Sequence, residues 1–316
     1  MTAAVAVSCA LLAWLLSRLD LARAMERYRS AEPGWLGVAA LLSLAVLALR
    51  GVRFSSLSDR AGFGVTTASV ATQVFLNRVT PLRLGELSLP LLLRRHAGED
   101  LARSLVRLLL VRLIDLAVVA AAIVVAAALQ ARDRANGLLP TLVALGLLAL
   151  LLATFRRWMR WGARIAASVV RKAGRSAPLE RALARLEDAV AHGDAAGPAA
   201  RAILVSTSLG IFVAQMAMFA ALLRAFGVHL PVAALALGGA VAQAGAAIPV
   251  ASVGTFGTQE ASWVAGYVWA GLGQEDAIVT AVAAQVITLA FAAVFAFPAW
   301  LWLQRRAAAT APEPSP

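Results

Sequence analysis

Apolar residues along this chain gather into blocks of about 15–25, the length that crosses roughly 30 Å of hydrocarbon as a helix. The pattern predicts continuous spans near 2–17, 35–49, 105–128, 138–155, 202–224 and 277–303. Two further blocks, near 66–93 and 232–250, are interrupted inside by polar residues, proline and glycine. The expectation is an all-α polytopic membrane protein with about six transmembrane helices and two broken or re-entrant helical segments. No positive lead-in precedes the first block, which therefore reads as a span and not as a cleaved signal. The polar stretch 156–201 carries apolar residues at helical spacing (Leu179, Leu183, Leu186, Val190). It reads as a basic cytoplasmic linker within one membrane domain covering 1–306. It either lies as surface helices on the inner leaflet or is a solvated connection. The Ala- and Pro-rich tail, 307–316, is expected to be disordered.

Composition narrows the class. The 316 residues are 61% hydrophobic and 15% charged, against about 45–50% and about 25% in soluble globular domains. An ordinary soluble enzyme is excluded, and the single cysteine, Cys9, excludes a disulfide scaffold. The net charge of +12 rests on arginine, since Lys172 is the one lysine. Nucleic-acid binding would need a basic face on a soluble surface. Here the arginines fall between apolar blocks, where the positive-inside rule accounts for them. With six crossings and two returning blocks, 19 of the 29 basic residues lie on one side and 7 on the other. That bias puts both termini in the cytoplasm.

The broken blocks carry the candidate chemistry. The first contains Asn77, Arg78, Pro81, Arg83, Gly85 and Glu86. Pro81 removes a backbone donor and Gly85 loosens the helix. Unwound backbone and charge at membrane depth persist only when packed in protein or facing a watery cavity. The second approaches through Ile248-Pro249 and continues through Gly254 and Gly257 to Glu260, followed by a short apolar helix from Ala261. Two proline- and glycine-interrupted segments in corresponding halves point to a transporter-type site and are compatible with an inverted repeat. Arg112 and Asp115, three apart on a helix, share a face and read as a structural ion pair. Gln73, Gln215, Gln243 and Gln285 read as interhelical hydrogen-bond formers. Gly238-Gly239 reads as close helix packing, and His192 and His229 as loop residues.

Walker, dinucleotide, metal-ligand and nucleophile-elbow motifs are missing from the chain, so no catalytic residue, metal or cofactor is expected. Two readings other than transport stay open. One is a non-catalytic membrane scaffold or accessory subunit for a lipid- or glycan-modifying enzyme; the other is an intramembrane enzyme.

The series Asn77-x3-Pro81-x-Arg83-x-Gly85-Glu86, then Arg112-x2-Asp115, then Ile248-Pro249 and Phe256-Gly257-Thr258-x-Glu260 resembles the flippase-like membrane domain of lysylphosphatidylglycerol synthases. The resemblance runs from about Leu12 to Leu303. It implies lipid translocation between leaflets of the bacterial cytoplasmic membrane, with paired re-entrant helices forming the site. Its partners would be anionic or aminoacylated phospholipids or polyprenyl-linked lipids, with a partner enzyme or a second copy of the chain also open. Under it Arg83 and Arg78 would hold a lipid phosphate. Glu86 and Glu260 would meet a cationic headgroup or carry protons, while Pro81, Gly85, Pro249, Gly254 and Gly257 would shape the unwound backbone. In two-domain relatives a separate soluble domain makes the lipid, so synthase activity is not expected here.

Overall fold

The computed structural model describes residues 25–26, 28–80, 85–130, 198–247 and 257–309. The expected spans 2–17 and 138–155 and most of the linker 156–201 lie outside these residues. Among the described residues there are eight helices: α1 (Pro33–Leu57), α2 (Phe63–Val79), α3 (Ser88–Ala97), α4 (Leu101–Gln130), α5 (Pro198–Ala225), α6 (Val232–Ala247), α7 (Thr258–Trp269) and α8 (Gln274–Ala309). Four of them, α1, α4, α5 and α8, are long and apolar enough to cross a membrane. Each runs several residues beyond its predicted limits, because helix continues past the apolar window into arginine- and serine-bearing turns. The first broken block resolves into α2 and α3, and the second into α6 followed by α7. Of the tail expected to be disordered, Ala307 to Ala309 belong to α8, and 310–316 lie outside the described residues.

Local chemistry sets the ends. Pro33 opens α1, where its missing N–H costs nothing. The α3 helix stops at Gly98, whose φ of 67° is left-handed; its N–H and that of Glu99 donate to Arg94 and Leu93 carbonyls. The α7 helix starts at Gly257, at φ 92°, and the Gly257 N–H donates to the Glu260 carboxylate at 2.7 Å. An acid three residues into a helix is also favoured by the helix dipole.

Two apolar cores lie toward opposite ends of the long helices. One joins Ala39 of α1, Phe219, Leu222 and Leu223 of α5, Trp263 and Tyr267 of α7, and Ile278 of α8. The other joins Phe54 of α1, Leu204 of α5, Leu303 of α8, Val70 of α2, Leu89 and Leu93 of α3, and Leu108 of α4. Thus α3 packs near the end of α1, and α7 near its beginning. Helices in lipid gain little from hiding apolar surface, so close approach at small residues matters more. A Cβ on Gly266 would sit 2.5 Å from the Gly238 carbonyl oxygen, and one on Gly245 would collide with Ser262. The expected role of Gly238-Gly239 is met: Gly238 lies under the Tyr267 ring and Gly239 under Met216.

The outer faces are apolar. Val205, Leu209 and Val213 form an exposed stripe on α5, and Val286, Val294 and Phe297 are exposed on α8. In water such faces would promote aggregation, whereas in a bilayer they meet acyl chains. Trp35 packs against Arg224 at 5.0 Å and Trp302 against Arg306 at 5.6 Å. These tryptophan–arginine pairs sit at helix ends, where headgroups favour them.

Candidate functional site

The first broken block is closed by contacts across its gap. The last turn of α2 ends with the Thr80 hydroxyl donating to the Leu76 carbonyl at 2.7 Å, and the Gly85 N–H donates to that hydroxyl at 2.9 Å. Gly85 rests directly on α2: a Cβ there would lie 2.5 Å from the Leu76 carbonyl carbon and collide with the Asn77 nitrogen. Loosening a helix is therefore not what Gly85 does. It lets the returning chain touch the backbone it left. Gly85 is thus brought onto Asn77, with Arg78 in the same last turn and Glu86 next to Gly85 in sequence; Pro81 and Arg83 lie outside the described residues.

The charges of this region pair differently from expectation. Asp115 does not take Arg112. It receives both terminal nitrogens of Arg53 on α1, at 2.6 and 3.2 Å, and the Arg53 guanidinium also donates to Ser208 of α5 at 3.1 Å. Arg112 instead meets Glu86 at 2.9 Å, tying α4 to the first broken block. The physical reason is geometry: Arg53 meets the Asp115 carboxylate with both terminal nitrogens, which a single i,i+3 contact along one helix does not match, and Glu86 engages Arg112 from the other side. Arg53 is 2% exposed, so this pair binds α1, α4 and α5 in the interior.

Beside these pairs, α1, α2, α5 and α8 enclose a cavity of about 80 Å³. Arg50 and Arg78 line it, with Ser43, Gln215 and Thr288. Arg78 donates to the Gln285 side-chain oxygen of α8 at 3.4 Å. Among the described residues, neither Arg50 nor Arg78 forms an ion pair and no carboxylate lines the cavity. Glu260, 3% exposed at the head of α7, lies within electrostatic range of Arg78. An acid of the second broken block thus lies in the field of a cation of the first. Pro249 and Gly254 lie outside the described residues, while Gly257 and Glu260 are together as described above.

Arg50 and Arg53 were not legible as site residues; the apolar pattern ends near 49 and assigns both to a loop. In the structure both belong to α1 and point inward, so neither weighs on the inside-versus-outside arginine balance. Their spacing of three on a helix is the signal that places them on one face.

At one polar end of the bundle, Glu99 gathers the loop between α1 and α2. Its carboxylate accepts from the Ser58 hydroxyl, from the Asp59 and Arg60 N–H groups at 3.0 Å each, and from Arg107 at 3.0 Å. Arg107 also reaches Asp59 at 2.7 Å. Nearby, both His96 ring nitrogens are buried and make no hydrogen bond among the described residues. Burial, then the Arg95 and Arg306 charges, pushes the His96 pKa below its ordinary value, about 6.5. The unfolded chain binds that proton more readily, so the neutral ring's contribution is whole above about pH 6.5 and is lost as pH falls below it. The melting temperature in detergent should decline from about pH 7 to about pH 5, and His96→Gln should reduce the slope. An unchanged slope would remove His96 as the cause.

Long apolar spans, two helical hairpins broken at polar motifs and an arginine-lined interior cavity define a multi-pass α-helical membrane protein. Residues 1–296 match the family described as the lysylphosphatidylglycerol synthase TM region, and the chain belongs to that family. No curated protein and no solved structure matches it.

Proposed function

We propose that this protein moves a phospholipid or lipid-linked headgroup between leaflets of the bacterial cytoplasmic membrane and performs no covalent chemistry. Family membership supports a membrane role related to lipids. The observation that carries the reading is the cavity lined by Arg50 and Arg78 among α1, α2, α5 and α8. Guanidinium groups hold phosphate through charge-assisted, often bidentate hydrogen bonds. Keeping them away from bulk water without an acid in contact is costly unless a ligand or trapped water meets them. Arg83 extends the same basic motif, and Glu86 and Glu260 set the field around it.

The proposal takes the four described spans with those near 2–17 and 138–155 as six crossings, with both termini cytoplasmic. It also takes the halves as an inverted repeat, each a long span, a broken hairpin and a second long span. Three features support this. The α1 helix packs on α5; α2 packs on α8 just as α6 packs on α4; and α3 and α7 join cores near opposite ends of the bundle. Gln285 also lies as far into α8 as Arg112 lies into α4, counted from Gln274 and Leu101. The interior Arg53–Asp115–Ser208 contact favours a packing role for its own members, and they are left out of the transport site.

Leaflet translocation of labelled lipids in proteoliposomes tests the reading. Wild type should move at least one lipid class, while Arg78→Gln and Glu260→Gln should be folded and slowed at least tenfold. No movement of any lipid by folded wild type would favour the accessory-subunit reading.

A further inference from the structure

The charge around the cavity bears on which lipid it takes. Three carboxylates lie near the two broken blocks, and each is engaged: Asp115 with Arg53, Glu86 with Arg112, and Glu260 with the Gly257 N–H. Against them stand, among the described residues, four guanidinium groups, of Arg50, Arg53, Arg78 and Arg112. Two of the acids are matched by Arg53 and Arg112, which leaves Arg50 and Arg78, the two that line the cavity, with Glu260 as the acid in electrostatic range and a net surplus of one positive charge. A ligand ammonium placed there would find two like charges and, among the described residues, no carboxylate on the cavity wall. Like charge at close range in a poorly screened interior is strongly unfavourable.

The cavity, of about 80 Å³, has Arg50, Arg78 and Gln215 in its wall, side chains able to donate to the oxygens of a phosphate.

We propose that this cavity takes a phosphate whose headgroup carries no cation, as in an anionic phospholipid or a lipid-linked phosphate, and discriminates against the aminoacylated lipid. The inference rests on the lipid-translocation reading and narrows its substrate class. Free phosphate presents the same chemistry to the two arginines, so the two sources must be separated by experiment.

The test is binding to the full-length protein in detergent micelles, read by native mass spectrometry and by the ligand-induced rise in melting temperature. The probes are phosphatidylglycerol, lysyl-phosphatidylglycerol, phosphatidylethanolamine and inorganic phosphate. Phosphatidylglycerol should bind at least tenfold tighter than either lipid carrying an amine and should raise the melting temperature most. Arg50→Gln and Arg78→Gln should each weaken it by about tenfold or more, the value of one charge-assisted hydrogen bond. Should a glutamine variant not fold, Arg→Lys at the same position keeps the charge while losing the bidentate fork, and should bind with intermediate affinity. The comparison among probes on wild type needs no variant. Lysyl-phosphatidylglycerol binding as tightly as phosphatidylglycerol would overturn the charge inference and leave lipid translocation standing. Inorganic phosphate binding as tightly as phosphatidylglycerol would overturn the lipid source. Folded wild type that binds no lipid would overturn both this inference and the translocation reading beneath it.

Discussion

Asp115→Asn is expected to cost about 3 kcal/mol of stability, the low end of the range for breaking a buried ion pair. The low end applies because Asp115 is a quarter exposed, whereas its partner Arg53 is almost wholly buried. The loss comes less from the missing attraction than from what stays behind: a guanidinium held between α1, α4 and α5 with Ser208 as its remaining partner. Replacing both partners removes that stranded charge, so Arg53→Met with Asp115→Leu should recover most of the loss. Unfolding of the purified protein in mixed micelles would measure all three proteins. Equal stability of wild type and Asp115→Asn would show that the pair does not hold the bundle together. The more exposed pair gives a contrast. Arg112 and Glu86 are 37% and 24% exposed, so Glu86→Gln should change stability by less than about 1 kcal/mol.

Gly85→Ala should be the most damaging single methyl group in the first broken block. Overpacking a tight site costs typically about 1–3 kcal/mol when side chains can yield. Here the obstruction is backbone, the Leu76 carbonyl carbon and the Asn77 nitrogen, and it can yield only by unwinding the last turn of α2. That turn carries Arg78, so translocation should be abolished even where the protein still folds. Gly64→Ala is the matched control, because its Cβ would meet only the edge of the Trp302 ring at 3.3 Å. Melting temperature and lipid movement would be recorded for both variants. Wild-type transport by Gly85→Ala would mean that the returning chain does not need to touch α2.

Much of the fold was legible because the bilayer imposes a coarse rule, an unbroken apolar run of sufficient length, that α1, α4, α5 and α8 obey. The interruptions were legible too, since a proline and glycine between apolar runs can scarcely continue one helix, and both blocks divide there into two helices. Pairing was not legible. Arg112 and Asp115 share a helix face, but sequence spacing says nothing of what stands opposite that face. The winning partner, Arg53, is 62 residues away on α1. Arg50 was hidden for a related reason: it sits just beyond the apolar window, where arginine ordinarily signals the membrane surface. Only the packing of α1 against α5 and α2 turns it inward. Glu99 stands in a polar stretch of the sequence with no motif around it, yet its side chain is 2% exposed and accepts four hydrogen bonds. Nothing in its immediate neighbours announces that.

The cross-packing of α2 on α8 and α6 on α4 also governs how the protein is made. When α4 leaves the ribosome, the surfaces of α2 and α4 that will meet later helices have no occupant. At about 5–20 residues per second, the stretch from Gln130 to Ala309 takes on the order of ten to forty seconds to synthesise. Through that interval Arg78 must wait for Gln285 inside a half-built bundle. The newborn first half is thus a natural client for insertion machinery that shelters polar side chains until their partners arrive.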